Sequence, residues 1–365
     1  MIKLIKYPIN NTFHMFYFSK ILITTIIITL LITLAAVNRY SYSIKDTATS
    51  SASQLIKDNK QLSFSNTIKR VDNHNNSNSI NYSNSIINNN TDNFNIANIE
   101  AKKINVGDIN IAYKTFGSGL PIVLISGSGN VMDVWPSYFL QALSKNHKIV
   151  IFDNRGVGNT TAGTKPFSIV QFANDTAGLM DALKIQKADI LGFSMASFIA
   201  QQLALLHPQK VDHLILYGAS CGGQEGTPQS DVVVKILSDV VNNRTSDPNT
   251  LLSVTFPVKW MKEHPDFLKV FTSTSEIIPS STLKIQFDLV ESWLSKNWSG
   301  ICNQISKITT PTLIITGTED AAVPADNSLI LVQKIPNSWL VQIKEAGHGL
   351  MYQYPEKFTA IVKHF

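Results

Sequence analysis

Between residues 101 and 365, short continuous apolar runs alternate with longer stretches of mixed character. Pro121–Ile125, Lys148–Phe152, Lys187–Leu191, Val211–Tyr217, Thr312–Thr316 and Trp339–Ile343 are too short for helices and carry little polar alternation, so they read as strands buried on both faces. Between them, roughly Trp135–Leu143, Ser168–Leu183, Met195–Leu206, Ala325–Ile335 and Pro355–Phe365 carry helix-forming residues, with Ser168 a candidate cap. Lys103–Val106 and Ile109–Phe116 flank Gly107-Asp108 and predict a β-hairpin. Strands alternating with helices predict the α/β class, a mostly parallel sheet covered on both faces.

Two regions break this rhythm. Residues 221–306 lie between two core strands and hold two helical stretches, Val232–Val241 and Leu283–Trp293, with Trp260, Trp293 and Trp298. That insertion predicts a helical lid whose aromatic residues pack it onto the core. Its frame is a core of residues 101–220 and 307–365. At the other end, residues 1–20 are basic and lead into the uncharged run Ile21–Val37. With the aromatic residues ahead of it, the run reaches the length of about 20 residues that a membrane-spanning helix needs. Residues 1–40 therefore read as an uncleaved anchor, with a cleaved secretory signal as the alternative. Residues 41–100 are polar and Asn/Ser-rich and read as a disordered tether. Its acceptor triplets (for example Asn75-Asn76-Ser77) give mild support to an extracytoplasmic side.

The chain has 365 residues, 44% of them hydrophobic, which is enough for one or two domains with a large core. Net charge is +5, but no dense Lys/Arg stripe with interleaved aromatics stands out, which argues against a nucleic-acid partner. The two cysteines, Cys221 and Cys302, lack metal-site spacing and read as two buried thiols rather than a disulfide; pairing requires the lid to bring them together.

The candidate chemistry gathers at strand ends. Ser194 follows Leu191-Gly192-Phe193 and opens the helix Met195–Leu206, so it sits on a strand-to-helix turn with small residues at 192 and 196. That is the setting of a nucleophile elbow. A serine nucleophile needs a histidine to take its proton and an acid to orient the histidine. His348, in Gly347-His348-Gly349, and Asp320, in Gly317-Thr318-Glu319-Asp320, each follow a predicted strand, with Glu319 the competing acid. Asp153 also ends a strand, and with Arg155 and Gly156 it reads as ordering its own loop by ion pairing. The N–H groups of Met195 and Ser128 are the candidate oxyanion donors. Phe193 and Trp135 are candidate walls for an apolar group of a small-molecule substrate. The Ser126–Gly129 stretch lacks a phosphate-loop lysine, and no metal or organic cofactor is expected.

Asp153-x-Arg155-Gly156-x-Gly158, Gly192-Phe193-Ser194-Met195-Ala196, Gly317-x-x-Asp320-x-x-Val323-Pro324 and Gly347-His348-Gly349 together resemble the lidded branch of the α/β-hydrolase superfamily, with its esterases and haloperoxidase-like enzymes. The resemblance runs from about residue 103 to the end. It implies an eight-stranded, mostly parallel sheet flanked by helices and a Ser194–Asp320–His348 triad. Relatives usually carry His-Gly where this chain has Ser126-Gly127. The implied activity is hydrolysis of carboxylic esters or related acyl compounds. A perhydrolase, a C–C hydrolase or a weakly catalytic binding protein would use the same frame.

Overall fold

Tight pairing at Gly107-Asp108 joins β1 (Lys102–Val106) antiparallel to β2 (Ile109–Phe116), in the register the hairpin predicts. The computed structural model describes residues 94–242, 244, 248–267 and 278–365. The expected membrane segment 21–37 and most of the tether lie outside these residues. Among the described residues, no helix is long and apolar enough to cross a membrane.

The hairpin leads into β3 (Leu120–Ile125), β4 (His147–Phe152), β5 (Ala188–Phe193), β6 (Val211–Tyr217), β7 (Thr312–Gly317) and β8 (Ser338–Ile343). They form one eight-stranded sheet in the order β1-β2-β4-β3-β5-β6-β7-β8. β2 pairs antiparallel with β4, and every pairing from β4 through β8 is parallel. Residues two apart on a strand face the same side. Along β3, Val123 and Ile125 join one core while Ile122 and Leu124 join the other. The first core is covered by α2 (Ile169–Ala182) and α3 (Met195–Leu206), the second by α1 (Ser137–Ser144) and the helix Pro355–Lys363. This is why the strands read as continuous apolar runs. The expected cap is present, with Ser168 Oγ accepting the Gln171 N–H at 3.0 Å.

Four differences from expectation have physical causes. Residues 94–99, assigned to the tether, pack on the core instead. Phe94 meets Phe116 at 5.4 Å between ring centroids, Ile96 is buried, and Lys114 Nζ donates to the Ile96 carbonyl at 3.0 Å. The helix expected from Trp135 starts later, at Ser137, after a single short turn over Met132–Val134, because proline pushes the residue before it out of the helical region, and Trp135 is extended with ψ 129°. Arg155 does not serve Asp153. Its guanidinium donates to Asp108 and Asp175, all at 2.7–2.9 Å, while Asp153 accepts the N–H groups of Met132 and Asn159. Finally, Cys221 and Cys302 form a disulfide, with Cα atoms 5.0 Å apart across 81 positions of sequence. The insertion leaves the sheet after β6 and returns before β7, so its two ends meet, and the Ile301 N–H bonds the Cys221 carbonyl at 3.0 Å beside the bridge.

Two stability predictions follow from these contacts. The Arg155 guanidinium, with backbone N–H groups of Lys165 and Thr164, holds the Asp108 carboxyl far below its ordinary value of 3.8. A depressed carboxyl stabilises the fold above its unfolded-state value and loses that contribution as pH falls through the folded value. Urea midpoints of wild type should therefore fall as pH drops below about 4, and Asp108→Asn should be weaker at neutral pH with a flatter acid limb. Equal slopes for both proteins would remove Asp108 from the acid response. The disulfide closes a long loop in the unfolded chain, so the Cys221→Ser/Cys302→Ser double variant should lose about 2–4 kcal/mol by urea unfolding. Wild type in reductant should match it.

The insertion contains α4 (Asp231–Val241), α5 (Pro248–Thr255), α6 (Val258–Glu263) and α7 (Ser280–Leu294). Trp293 of α7 stacks on Phe198 of α3 at 5.0 Å and donates its indole N–H to the Ser220 carbonyl at 3.0 Å. Trp298 packs on Trp293, while Trp260 forms a separate cluster with Leu252 and Phe256. The aromatic residues of the insertion thus serve packing, as expected.

Candidate active site

Ser194 caps α3 with φ +58° and ψ −126°, a backbone conformation that a residue with a side chain rarely adopts. Two features hold it there. The Ser194 N–H donates to the Tyr217 carbonyl at 2.9 Å, and β5 runs so close to α3 that a Cβ on Gly192 would lie 2.2 Å from the Ala196 carbonyl oxygen. Only glycine fits at 192. The Ser194 side chain is partly exposed, and its hydroxyl makes no hydrogen bond among the described residues.

The loops after β7 and β8 bring the other two groups together. His348 Nδ1 lies 2.8 Å from Asp320 Oδ2, with the Asp320 side chain fully buried. The second carboxylate oxygen accepts the Val323 N–H at 2.8 Å, so both oxygens are used. Glu319, the competing acid, is exposed. The imidazole sits 4.9 Å from the Phe193 ring, next to Ser194 in sequence. Gly218, which follows the Tyr217 carbonyl that holds Ser194, has φ +60°, and a Cβ there would come within 2.9 Å of His348 Cε1. The imidazole therefore occupies space that any side chain at 218 would take.

Sequence reasoning missed Tyr217. Its hydroxyl donates to the His348 carbonyl and accepts the Met351 N–H at 3.3 Å, which pins the loop carrying the imidazole. Burial pushes the phenol well above its ordinary value, so it stays a donor. Its place at the carboxyl end of β6 was the available signal.

Gly127 abuts the serine, since a Cβ there would sit 3.0 Å from Ser194 Cβ. This brings the Ser126–Asn130 loop to the elbow. Neither the Ser128 nor the Met195 N–H has a hydrogen-bond partner among the described residues. Met195 N also lies at the positive end of a 12-residue helix. The expected apolar walls stand elsewhere. Trp135 is 1% exposed and packs on Phe139 and Phe193, and Phe193 itself is 6% exposed and stacks on Tyr217. Both back the site from within the core, because β5 and the turn after β3 point these rings beneath the sheet end.

The family profile for the alpha/beta hydrolase fold matches residues 121–355. The chain belongs to the α/β-hydrolase fold family. Among relatives of this α/β-hydrolase is a Mycobacterium tuberculosis protein provisionally named non-heme bromoperoxidase BpoC, 29% identical over 265 residues, covering 70% of this chain and 98% of the relative. Another is 2-hydroxy-6-oxononadienedioate/2-hydroxy-6-oxononatrienedioate hydrolase 2 of Pseudomonas putida, 27% identical over 267 residues, covering 71% of this chain and 92% of the relative. Among solved structures, Est816, described as an N-acyl homoserine lactone degrading enzyme, superposes with a TM-score of 0.61 at 26% identity, over 72% of this chain and all of Est816. The three are named for different substrates and share this frame.

Proposed function

We propose that this α/β-hydrolase cleaves carboxylic esters through an acyl-enzyme formed on Ser194. The observation that carries the reading is the buried Asp320–His348 pair delivered to the strand end where Ser194 is held in a strained turn. Ser194 Oγ attacks the ester carbonyl carbon while His348 Nε2 takes the hydroxyl proton. Asp320 keeps the ring proton on Nδ1 and stabilises the imidazolium. The oxyanion receives the N–H groups of Met195 and Ser128, two donors that no internal acceptor occupies. His348 then protonates the departing alkoxide as its C–O bond breaks. A water gives a proton to His348 and attacks the acyl carbon, and Ser194 recovers its proton as the acid leaves. Each step is proton transfer and acyl transfer, so metal or organic cofactors have no role in it. Ser194 is partly exposed and its hydroxyl caps no backbone group, which suits attack on an incoming carbonyl.

Est816, named for degrading an N-acyl homoserine lactone, which holds both an ester and an acyl amide, supports an acyl compound as substrate. The test is turnover of a p-nitrophenyl ester panel by the full-length protein, with a fluorophosphonate as active-serine label. Turnover and labelling that both disappear in Ser194→Ala are expected; a folded wild type that neither labels nor turns over would sink the reading.

We infer further that the enzyme works outside the cytoplasm, tethered by residues 21–37. The disulfide supports an oxidising compartment, and the uncharged run supports an anchor. Protease accessibility of the catalytic domain in intact cells tests this placement.

A further inference from the structure

Gln286 lies in the middle of α7, with no solvent exposure, and reaches out of the insertion to the loop after β3. Its Oε1 accepts the Gly129 N–H at 2.9 Å, across 157 positions of sequence. The other end of that peptide unit is also held, since Asn130 Nδ2 donates to the Ser128 carbonyl at 2.9 Å. The plane between Ser128 and Gly129 is thereby fixed from both sides. The next plane back carries the Ser128 N–H, which has no partner among the described residues.

Neighbouring side chains show that this face of α7 is built against the loops. Leu283 Cδ1 lies 3.2 Å from where a Gly129 Cβ would stand, and the Thr282 hydroxyl lies 3.1 Å from the same point on Gly156. The amide of Gln286 also has a defined orientation. Only its oxygen can receive the Gly129 N–H, which leaves Nε2 buried without an acceptor among the described residues. An apolar side chain of similar length would fill this space without burying an unpaired donor. What the amide supplies that such a side chain would not is the bond to the Gly129 N–H.

We propose that Gln286 is a positioning residue of the oxyanion hole, through which the seated lid orients the Ser128 N–H. The proposal rests on the ester-hydrolase reading above for the role of Ser128. It makes the oxyanion hole complete only when α7 is docked, so lid placement and transition-state binding are coupled. Misplacing one oxyanion donor acts on the transition state more than on the ground state, so the effect belongs in kcat.

Two variants separate the bond from the packing. Gln286→Met keeps the volume and removes the acceptor, while Gln286→Glu keeps an acceptor oxygen at the same reach. Gln286→Met should lower kcat about 10- to 100-fold on a p-nitrophenyl ester with KM changed less than about 3-fold. Gln286→Glu should recover most of the loss. Amide exchange in the peptide spanning 126–132 should quicken in Gln286→Met and return towards wild type in Gln286→Glu. Thermal melts confirm folding, and Gln286→Asn, too short to reach, should behave as Gln286→Met does if either melts early. Unchanged exchange and kcat in Gln286→Met, a loss confined to KM, or equal losses in the Met and Glu variants would overturn the proposal. Failure of the underlying reading looks different. Wild type would then escape the fluorophosphonate, while the exchange measurement would still report whether Gln286 holds the loop.

Discussion

Ser194→Ala should lose ester turnover by about 10,000-fold or more and take up no fluorophosphonate. The substitution is a clean one in this structure. The Ser194 hydroxyl caps no backbone group, and alanine at φ +58° carries the same Cβ strain as serine, so the elbow keeps its shape. Stability should move by no more than about 0.5 kcal/mol, the range of a substitution that removes no buried contact. The loss therefore reports the nucleophile alone. A variant that folds and still turns over esters at the wild-type rate would move the chemistry to another residue.

Asp320→Asn should lower kcat by about 1,000- to 10,000-fold with the fold intact. The reason lies in how the carboxylate is shared. One oxygen accepts the Val323 N–H at 2.8 Å and the other faces His348 Nδ1 at 2.8 Å. In asparagine the oxygen must stay on Val323, because an NH2 group cannot receive that N–H. The NH2 then faces Nδ1 and forces the ring proton onto Nε2, the atom that has to accept from Ser194. Geometry survives and the tautomer is wrong. Fluorophosphonate labelling rates should fall in step with kcat. A variant within 10-fold of wild type would show that His348 does not depend on Asp320 for its tautomer.

Much of this site was legible in the primary structure, for a local reason. Gly192-Phe193-Ser194-Met195-Ala196 joins a buried strand to a helix with no room for a longer connection, and the turn follows from those neighbours alone. Asp320 and His348 could be placed because each follows a recognisable strand, and a parallel sheet delivers the carboxyl ends of its strands to one edge. The sequence already favoured Asp320 over Glu319, and the structure agrees, with Asp320 buried against His348 and Glu319 exposed.

Other features depend on chain segments meeting from far apart. Arg155 finds Asp108 and Asp175 rather than Asp153, two residues away, because the hairpin and α2 converge on it. Phe94 and Ile96 look like part of a polar tether until Phe116 and Lys114 stand beside them. Phe193 adjoins Ser194 and Trp135 follows the Ser126–Asn130 loop in sequence, but both side chains are buried in the core.

By itself, then, the sequence determined the class of fold, the elbow and the strand-end positions of Asp320 and His348, because hydrophobic periodicity and turn chemistry act over a few residues. Only the tertiary structure decided that Cys221 and Cys302 pair, that Tyr217 holds the histidine loop, and that Gln286 of the insertion bonds the loop beside Ser194. Those contacts span 81, 131 and 157 positions, and closing such distances is the work of the whole packed core rather than of any local pattern.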